Sequence, residues 1–268
     1  MTPDWTTGLV STGSGGLVGL ALGLVGGGGS ILAVPLLVYA VGVSSPHVAI
    51  GTSAVAVSAS ALGSLFPHWR AGNVKWRCAA VFAAAGALGA VAGSTAAKAL
   101  DGERLLALFG VVMVVVGLVM LRRRDAGGDP DVRLTVESAR QLLPLLIGIG
   151  FTVGLFSGFF GFGGGFLIVP GLILATGMPL DNAIGTSLVA VAAFGAATAT
   201  SYAVSGHVDW WIAGLLVVGG LLGGLAGTKL GSVLAQRKRA LSVVFAGLVI
   251  AVGLYVITRG LLALNATA

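Results

Sequence analysis

Two ten-residue stretches carry the chemistry in this chain: GGGGSILAVP at 26–35 and GFGGGFLIVP at 161–170. Each sets a run of glycines inside an apolar segment, and glycine costs a helix roughly 1 kcal/mol relative to alanine, so each run should break its helix. A helix that restarts after such a break offers unpaired backbone N–H groups and the positive end of its dipole, which together suit an anion. A second duplicated motif follows each break, AIGTS at 49–53 and again at 183–187. Its hydroxyls can bond an oxyanion, the preceding turn of their own helix, or a neighbouring helix. The candidate substrate-binding residues are therefore Gly28, Gly29, Ser30, Thr52 and Ser53 in the first half, and Gly163, Gly164, Gly165, Thr186 and Ser187 in the second. The rival readings are glycines that serve only close packing and hydroxyls that serve only as helix glue. Packing is the preferred reading for the small-xxx-small pairs Gly89 with Gly93 and Gly220 with Gly224.

The elements that must carry these motifs are membrane spans. Of 268 residues 56% are hydrophobic and 9% charged, with a mean hydropathy of +1.03, whereas a soluble domain is about 25% charged. Several runs lack charge over about 18 residues or more, enough to cross a hydrocarbon core about 30 Å thick. The absence of dyad alternation argues against a barrel. An all-α polytopic membrane protein in a lipid bilayer is expected. The start, MTPDWTTGLVSTG, has no basic region ahead of its apolar run and makes a poor cleavable signal. The net charge of +6 reads as basic loops that orient spans, with no nucleic-acid partner implied. The single cysteine, Cys78, excludes an intrachain disulfide or a multi-cysteine metal or redox site.

The chain repeats itself. Pro35 aligns with Pro170, and Gly19, Gly23, Gly26, Gly28 and Gly29 fall on Gly154, Gly158, Gly161, Gly163 and Gly164. After a one-residue shift, AIGTSAVAV at 49–57 matches AIGTSLVAV at 183–191, Trp76 falls on Trp210, and Gly86, Gly89 and Gly93 fall on Gly220, Gly223 and Gly227. The expected organisation is a first transmembrane repeat at 1–121, a polar cytoplasmic linker at 122–140 and a second repeat at 141–268. Apolar segments lie at about 8–42, 46–66, 77–98 and 104–121, then 141–177, 181–203, 210–231 and 240–262. The first segment of each copy either crosses once, giving parallel repeats, or turns at the glycines and leaves by the side it entered, giving inverted repeats. A single crossing divides the fifteen basic residues nine to six. A hairpin puts Arg70, Lys75, Arg77, the five arginines of 122–140, and Lys229, Arg237, Lys238 and Arg239 on one side, against Lys98, Arg104 and Arg259 on the other. That twelve-to-three split obeys the positive-inside rule. It predicts two inverted-topology repeats, each a glycine-broken re-entrant or discontinuous helix plus three transmembrane helices, with both termini outside.

No Arg or Lys falls well inside an expected span, so helix ends and hydroxyls would have to hold an anion. Near segment ends, His68 and Tyr202 are candidates for a gating or proton-linked role. The alternative is that they, with His207, anchor the interface beside Trp69, Trp76, Trp210 and Trp211. No Gly-Lys dipeptide is present, so a Walker-type phosphate loop is excluded, and no His-Glu-x-x-His motif supports an intramembrane metalloprotease. No catalytic residue, metal site or cofactor is expected, and the sequence sets no oligomeric state.

The paired breaks followed by proline and the paired AIGTS stretches resemble the sulfite exporter TauE/SafE family, also called the toluene sulfonate uptake permease family. The resemblance covers both halves and nearly the whole chain outside the linker. It implies a secondary transporter of the prokaryotic inner membrane that moves, in the export direction, small sulfur-containing anions such as sulfite, sulfonates or sulfoacetate. The two copies differ at Ser30 against Gly165, so the pocket need not be symmetric. A passive anion channel is the alternative, since alternating access has no sequence signature.

Overall fold

A computed structural model describes residues 5–122, 136–161, 163, 165–233 and 238–267. Gly164, most of the expected linker, and Arg237 lie outside the described residues. Those described form ten α-helices and no strands: α1 (Trp5–Val25), α2 (Ala33–Pro35), α3 (Pro46–Arg70), α4 (Trp76–Lys98), α5 (Gly102–Arg122), α6 (Val136–Phe160), α7 (Gly165–Thr176), α8 (Leu180–Val204), α9 (Trp210–Val233) and α10 (Lys238–Thr267). Eight of them, all but α2 and α7, are long and apolar enough to cross a membrane. At 1.5 Å per residue, the 25 residues of α3 and of α8 reach about 37 Å.

Helix ends follow local chemistry. Pro46 opens α3 at a first-turn position, where its missing N–H costs nothing. Gly72 (φ +73°) follows α3, and Gly206 (φ +73°) stands at the same place after α8. Each accepts a left-handed conformation that reverses the chain at little steric cost.

In lipid no hydrophobic force drives helices together, so close packing of small residues and interhelical bonds must do it. The four main helix pairs are α1 with α9, α4 with α6, α3 with α8, and α5 with α10, and each joins one copy to the other. Glycine sets the first two. A Cβ on Gly19 would strike the Gly220 carbonyl, and one on Gly154 would strike the Gly86 carbonyl. Along α1, Gly15, Gly19 and Gly23 meet Leu216, Gly220 and Gly224 in turn, so α1 and α9 run in the same direction. So do α4 and α6, where Gly86 and Gly93 meet Gly150 and Leu155. The other two pairs run oppositely. Gly51 packs on Tyr202 while Gly185 packs on Asn73, and Gly110 packs on Ile257 while Gly117 packs on Ile250. α3 and α8 are the innermost spans, 61% buried against 33% for α5 and α10. Gly89 is also tightly packed, its hydrogen directed at the Phe151 carbonyl.

Between α1 and α3 the chain turns through a 3-10 segment, Gly26–Leu32, then α2, then a π-helical stretch, Leu36–Val41. This arm folds back along α1, with Gly29 against Ala21 and Leu22. The equivalent arm, α7, folds back along α6, where Gly171 meets Ile149 and Val153. The prolines act differently in the two arms. Pro35 sits where the first changes helix type, whereas α7 continues through Pro170.

Packing this close gives a clear expectation for substitution. Gly154→Ala should destabilise the protein by about 1–3 kcal/mol, the usual cost of overpacking. Gly247→Ala on α10, with nothing within 4 Å of its Cβ position, should instead stabilise by up to about 1 kcal/mol, alanine being the better helix former. Denaturant unfolding in detergent compares the two.

Candidate functional site

The second glycine run makes a left-handed turn. Gly161 (φ +74°) and Gly163 (φ +65°) occupy conformations that L side chains rarely adopt, and α7 begins at Gly165. The turn is packed against both innermost spans. Gly161 meets Ile50, and its carbonyl lies 3.4 Å from the Ser53 hydroxyl. A Cβ on Gly163 would lie 2.8 Å from Val57 and 3.4 Å from Val191. Those valines hold the same position in the two copies, and the next pair, Ser58 and Ala192, is joined by a 2.8 Å bond from the Ser58 hydroxyl to the Ala192 carbonyl. Ser58 and Ala192 are the midpoints of α3 and α8, so the turn sits about 18 Å from either end of these spans. The 26–32 segment, which holds Gly28, Gly29 and the fully buried Ser30, packs against α7 and α8.

The residues flanking the break offer donors without a formal charge. The first-turn N–H groups of α7 have no partner within their own helix. Ser157, one turn before the break, is fully buried and its hydroxyl has no partner. Ser157 falls on Leu22 of the first copy, so a duplicated-motif search passes over it. Ser58, opposite Ala192, was missed for the same reason.

The AIGTS hydroxyls divide by residue type. Ser53 and Ser187 donate to their own helices, at the Ile50 carbonyl (2.9 Å) and the Ile184 carbonyl (2.7 Å). Thr52 accepts the Asp209 N–H at 2.9 Å, and Thr186 accepts the Lys75 N–H at 3.0 Å. Asp209 and Lys75 each immediately precede a span, α9 and α4. The threonines thus fasten corresponding interhelical loops at opposite ends of the α3/α8 pair, and each keeps its own O–H hydrogen to donate. Of the remaining candidates, His68 is half-buried in the last turn of α3, and Tyr202 is fully buried near the end of α8. The structure sets His47, Lys98 and His207 around Tyr202. A cavity of about 500 Å³ opens elsewhere, between α1, the first arm and α10, lined by Leu17, Leu24, Pro35, Tyr39, Leu248 and Tyr255 among others. Its walls suit hydrocarbon and offer nothing to an anion.

Removing either threonine hydroxyl strands a loop N–H. Thr52→Val and Thr186→Val should each cost about 1–2 kcal/mol. Because the two bonds lie at opposite ends of the pair, the double variant should cost the sum within about 0.5 kcal/mol. Unfolding of the single and double variants in detergent checks both magnitude and additivity.

Comparison with known proteins agrees with this architecture. The family model described as sulfite exporter TauE/SafE matches residues 12–256. A probable membrane transporter protein of Xylella fastidiosa (strain 9a5c) is 53% identical over 251 residues, covering 94% of this chain and 95% of its own. The probable membrane transporter protein YunE of Bacillus subtilis (strain 168) is 27% identical over 85% of this chain and 89% of its own. One from Methanocaldococcus jannaschii is 27% identical over 65% of this chain and 64% of its own. No solved structure matches. With eight spans, a match over most of its length and relatives named as transporters, this chain is a multi-pass membrane transporter belonging to the TauE/SafE sulfite exporter family.

Proposed function

We propose that this transporter is a secondary carrier that exports small sulfur-containing anions, such as sulfite, sulfonates or sulfoacetate, across the inner membrane. Its two copies act as inverted repeats, with both termini outside and the linker in the cytoplasm. The antiparallel course of the equivalent helices α3 and α8, and of α5 and α10, supports the inversion. So does the reciprocal pairing of α1 with α9 and of α6 with α4. Arms that fold back along the preceding span support the re-entrant threading, which alone gives the twelve-to-three charge split.

One observation carries the reading. The turn at Gly161 and Gly163 lies at the midpoint of the innermost helix pair, against the same valine position from both copies. Non-helical backbone at that depth is tolerated in membranes only when buried in protein or lining a cavity, and in secondary transporters such breaks hold the substrate. The anion is held by the first-turn N–H groups of α7, by the hydroxyls of Ser157 and Ser30, and by the backbone of Gly28, Gly29, Gly163 and Gly165, with Ser53 and Ser187 turning their O–H groups to it from the Ile50 and Ile184 carbonyls. Dipoles and hydroxyls bind less tightly than a buried, fully paired cation, which leaves the anion free to depart. Thr52 and Thr186, holding loops at opposite ends, suit hinges that release in turn, and each has an O–H hydrogen for a passing anion. His68 and Tyr202, the same position in the two copies, gate the two ends.

In proteoliposomes loaded with sulfite or sulfoacetate, Gly163→Val should abolish flux, because valine neither accepts φ +65° nor fits against Val57. Gly214→Val, with open space around it, should transport like wild type. Counterflow and saturation are expected of wild type. Linear, non-saturating flux would identify a channel, and normal flux in Gly163→Val would refute the midplane site.

A further inference from the structure

Tyr202 is fully buried, yet its hydroxyl has no partner. Buried polar atoms are almost always satisfied, so this one calls for an occupant. Two more unpaired buried atoms stand beside it, the Nδ1 atoms of His47 and His207. The three rings are in mutual contact, with centroids 6.3 Å apart for His47 and Tyr202, 5.9 Å for His47 and His207, and 6.3 Å for Tyr202 and His207. The Lys98 ammonium lies 5.6 Å from the centre of the Tyr202 ring. Its hydrogens go to neutral oxygens only: the Ser201 carbonyl at 3.1 Å, the Ser201 hydroxyl at 3.0 Å and the Ser205 hydroxyl at 2.9 Å. Among the described residues no carboxylate lies within 4.0 Å of it. Asp209, close by in sequence to His207, spends one carboxylate oxygen on the N–H groups of Trp211 and Ile212 at the start of α9.

We propose that His47, Lys98, Tyr202 and His207 form a second anion site, a vestibule at the outer end of the α3/α8 pair that takes a small sulfur oxyanion or sulfonate. It rests on the reading of the chain as an anion carrier but uses none of the midplane donors. An uncompensated cation supplies the charge complement, and the Tyr202 O–H supplies a directed donor. Nε2 of His47 faces the Leu100 carbonyl at 3.1 Å and so carries a proton. Helical side chains slope toward the helix N-terminus, so the Tyr202 ring leans from this end of α8 toward the Ser58–Ala192 midpoint. The vestibule therefore stands on the way to the midplane site.

Comparison with the other copy singles out this end. At the positions equivalent to His47, Lys98, Tyr202 and His207, the chain has Asp181, Ser232, His68 and Asn73. At these four positions the outer end has a lysine and two histidines, where the inner end has an acid, a serine, a histidine and an asparagine.

The test isolates the vestibule by titrating sodium sulfoacetate into purified full-length Gly163→Val protein in gluconate buffer, read by calorimetry. Binding should persist there, and adding Tyr202→Phe or Lys98→Gln should weaken it by about tenfold or more, while Lys98→Arg restores it. Tyr202→Phe keeps the ring and its packing, so loss of binding in that variant is loss of the hydroxyl. If Gly163→Val protein does not purify folded, Lys98→Gln is read alone in transport from the outer face, where KM should rise by about tenfold or more and Lys98→Arg should restore it. Unchanged affinity or KM in the variants, or no sulfoacetate binding outside the midplane, would overturn the proposal and leave the three polar atoms to bound water. Wild-type flux in Gly163→Val would count against the midplane site only, so the two failures are distinguishable.

Discussion

The constraint on which this structure depends is that hydrocarbon cannot satisfy a peptide group. A chain that breaks a helix at mid-membrane must surround the break with protein. Here the Gly161–Gly163 turn is enclosed by α3 and α8, with the 26–32 segment packed on α7 and α8. The innermost position of α3 and α8 follows from that need. So does their composition, because small side chains such as Ala54, Ala56, Ser58, Ala190 and Ala192 leave room for another segment's backbone.

The same constraint accounts for the interwoven halves. Each arm is too short to cross, so each copy presents an incomplete wall. The missing wall comes from the other copy, which is why α1 lies along α9 and α6 along α4. Backbone-to-backbone contact at Gly19 with Gly220 and at Gly154 with Gly86 gives these pairs their van der Waals adhesion. The boundary between the two copies is thus a boundary in sequence and not between two packed bodies.

Spans were legible in the sequence because apolar runs of span length have few alternatives. The expected segments at 46–66, 181–203 and 210–231 appear as Pro46–Arg70, Leu180–Val204 and Trp210–Val233. That an α-helix would end at each glycine run was also legible, because glycine's cost to a helix is local: α1 stops at Val25 and α6 at Phe160. The form of each break was not. Gly161 and Gly163 take left-handed conformations against Ile50 and Val57, partners distant in sequence, while Gly26–Leu32 continues as a 3-10 segment whose Gly29 lies on the backbone of Ala21 and Leu22. Nor could duplication alone tell what Thr52 and Thr186 do, since a hydroxyl that fastens a loop and one that holds a substrate look alike in sequence. Gly89 shows the same gap: the spacing identified it as a packing residue, but the closeness of the Phe151 backbone had to come from the fold.

The central claim is that the two breaks meet at a midplane pocket that binds a sulfur anion and opens to each side in turn. The most direct measurement places a single cysteine at the pocket, Ser30→Cys with Cys78→Ala, and follows its alkylation by a membrane-impermeant thiol reagent. In right-side-out and inside-out vesicles, the account predicts reaction from both faces and protection from both by sulfoacetate. Reaction from one face only, or reaction that sulfoacetate leaves unchanged, would contradict it.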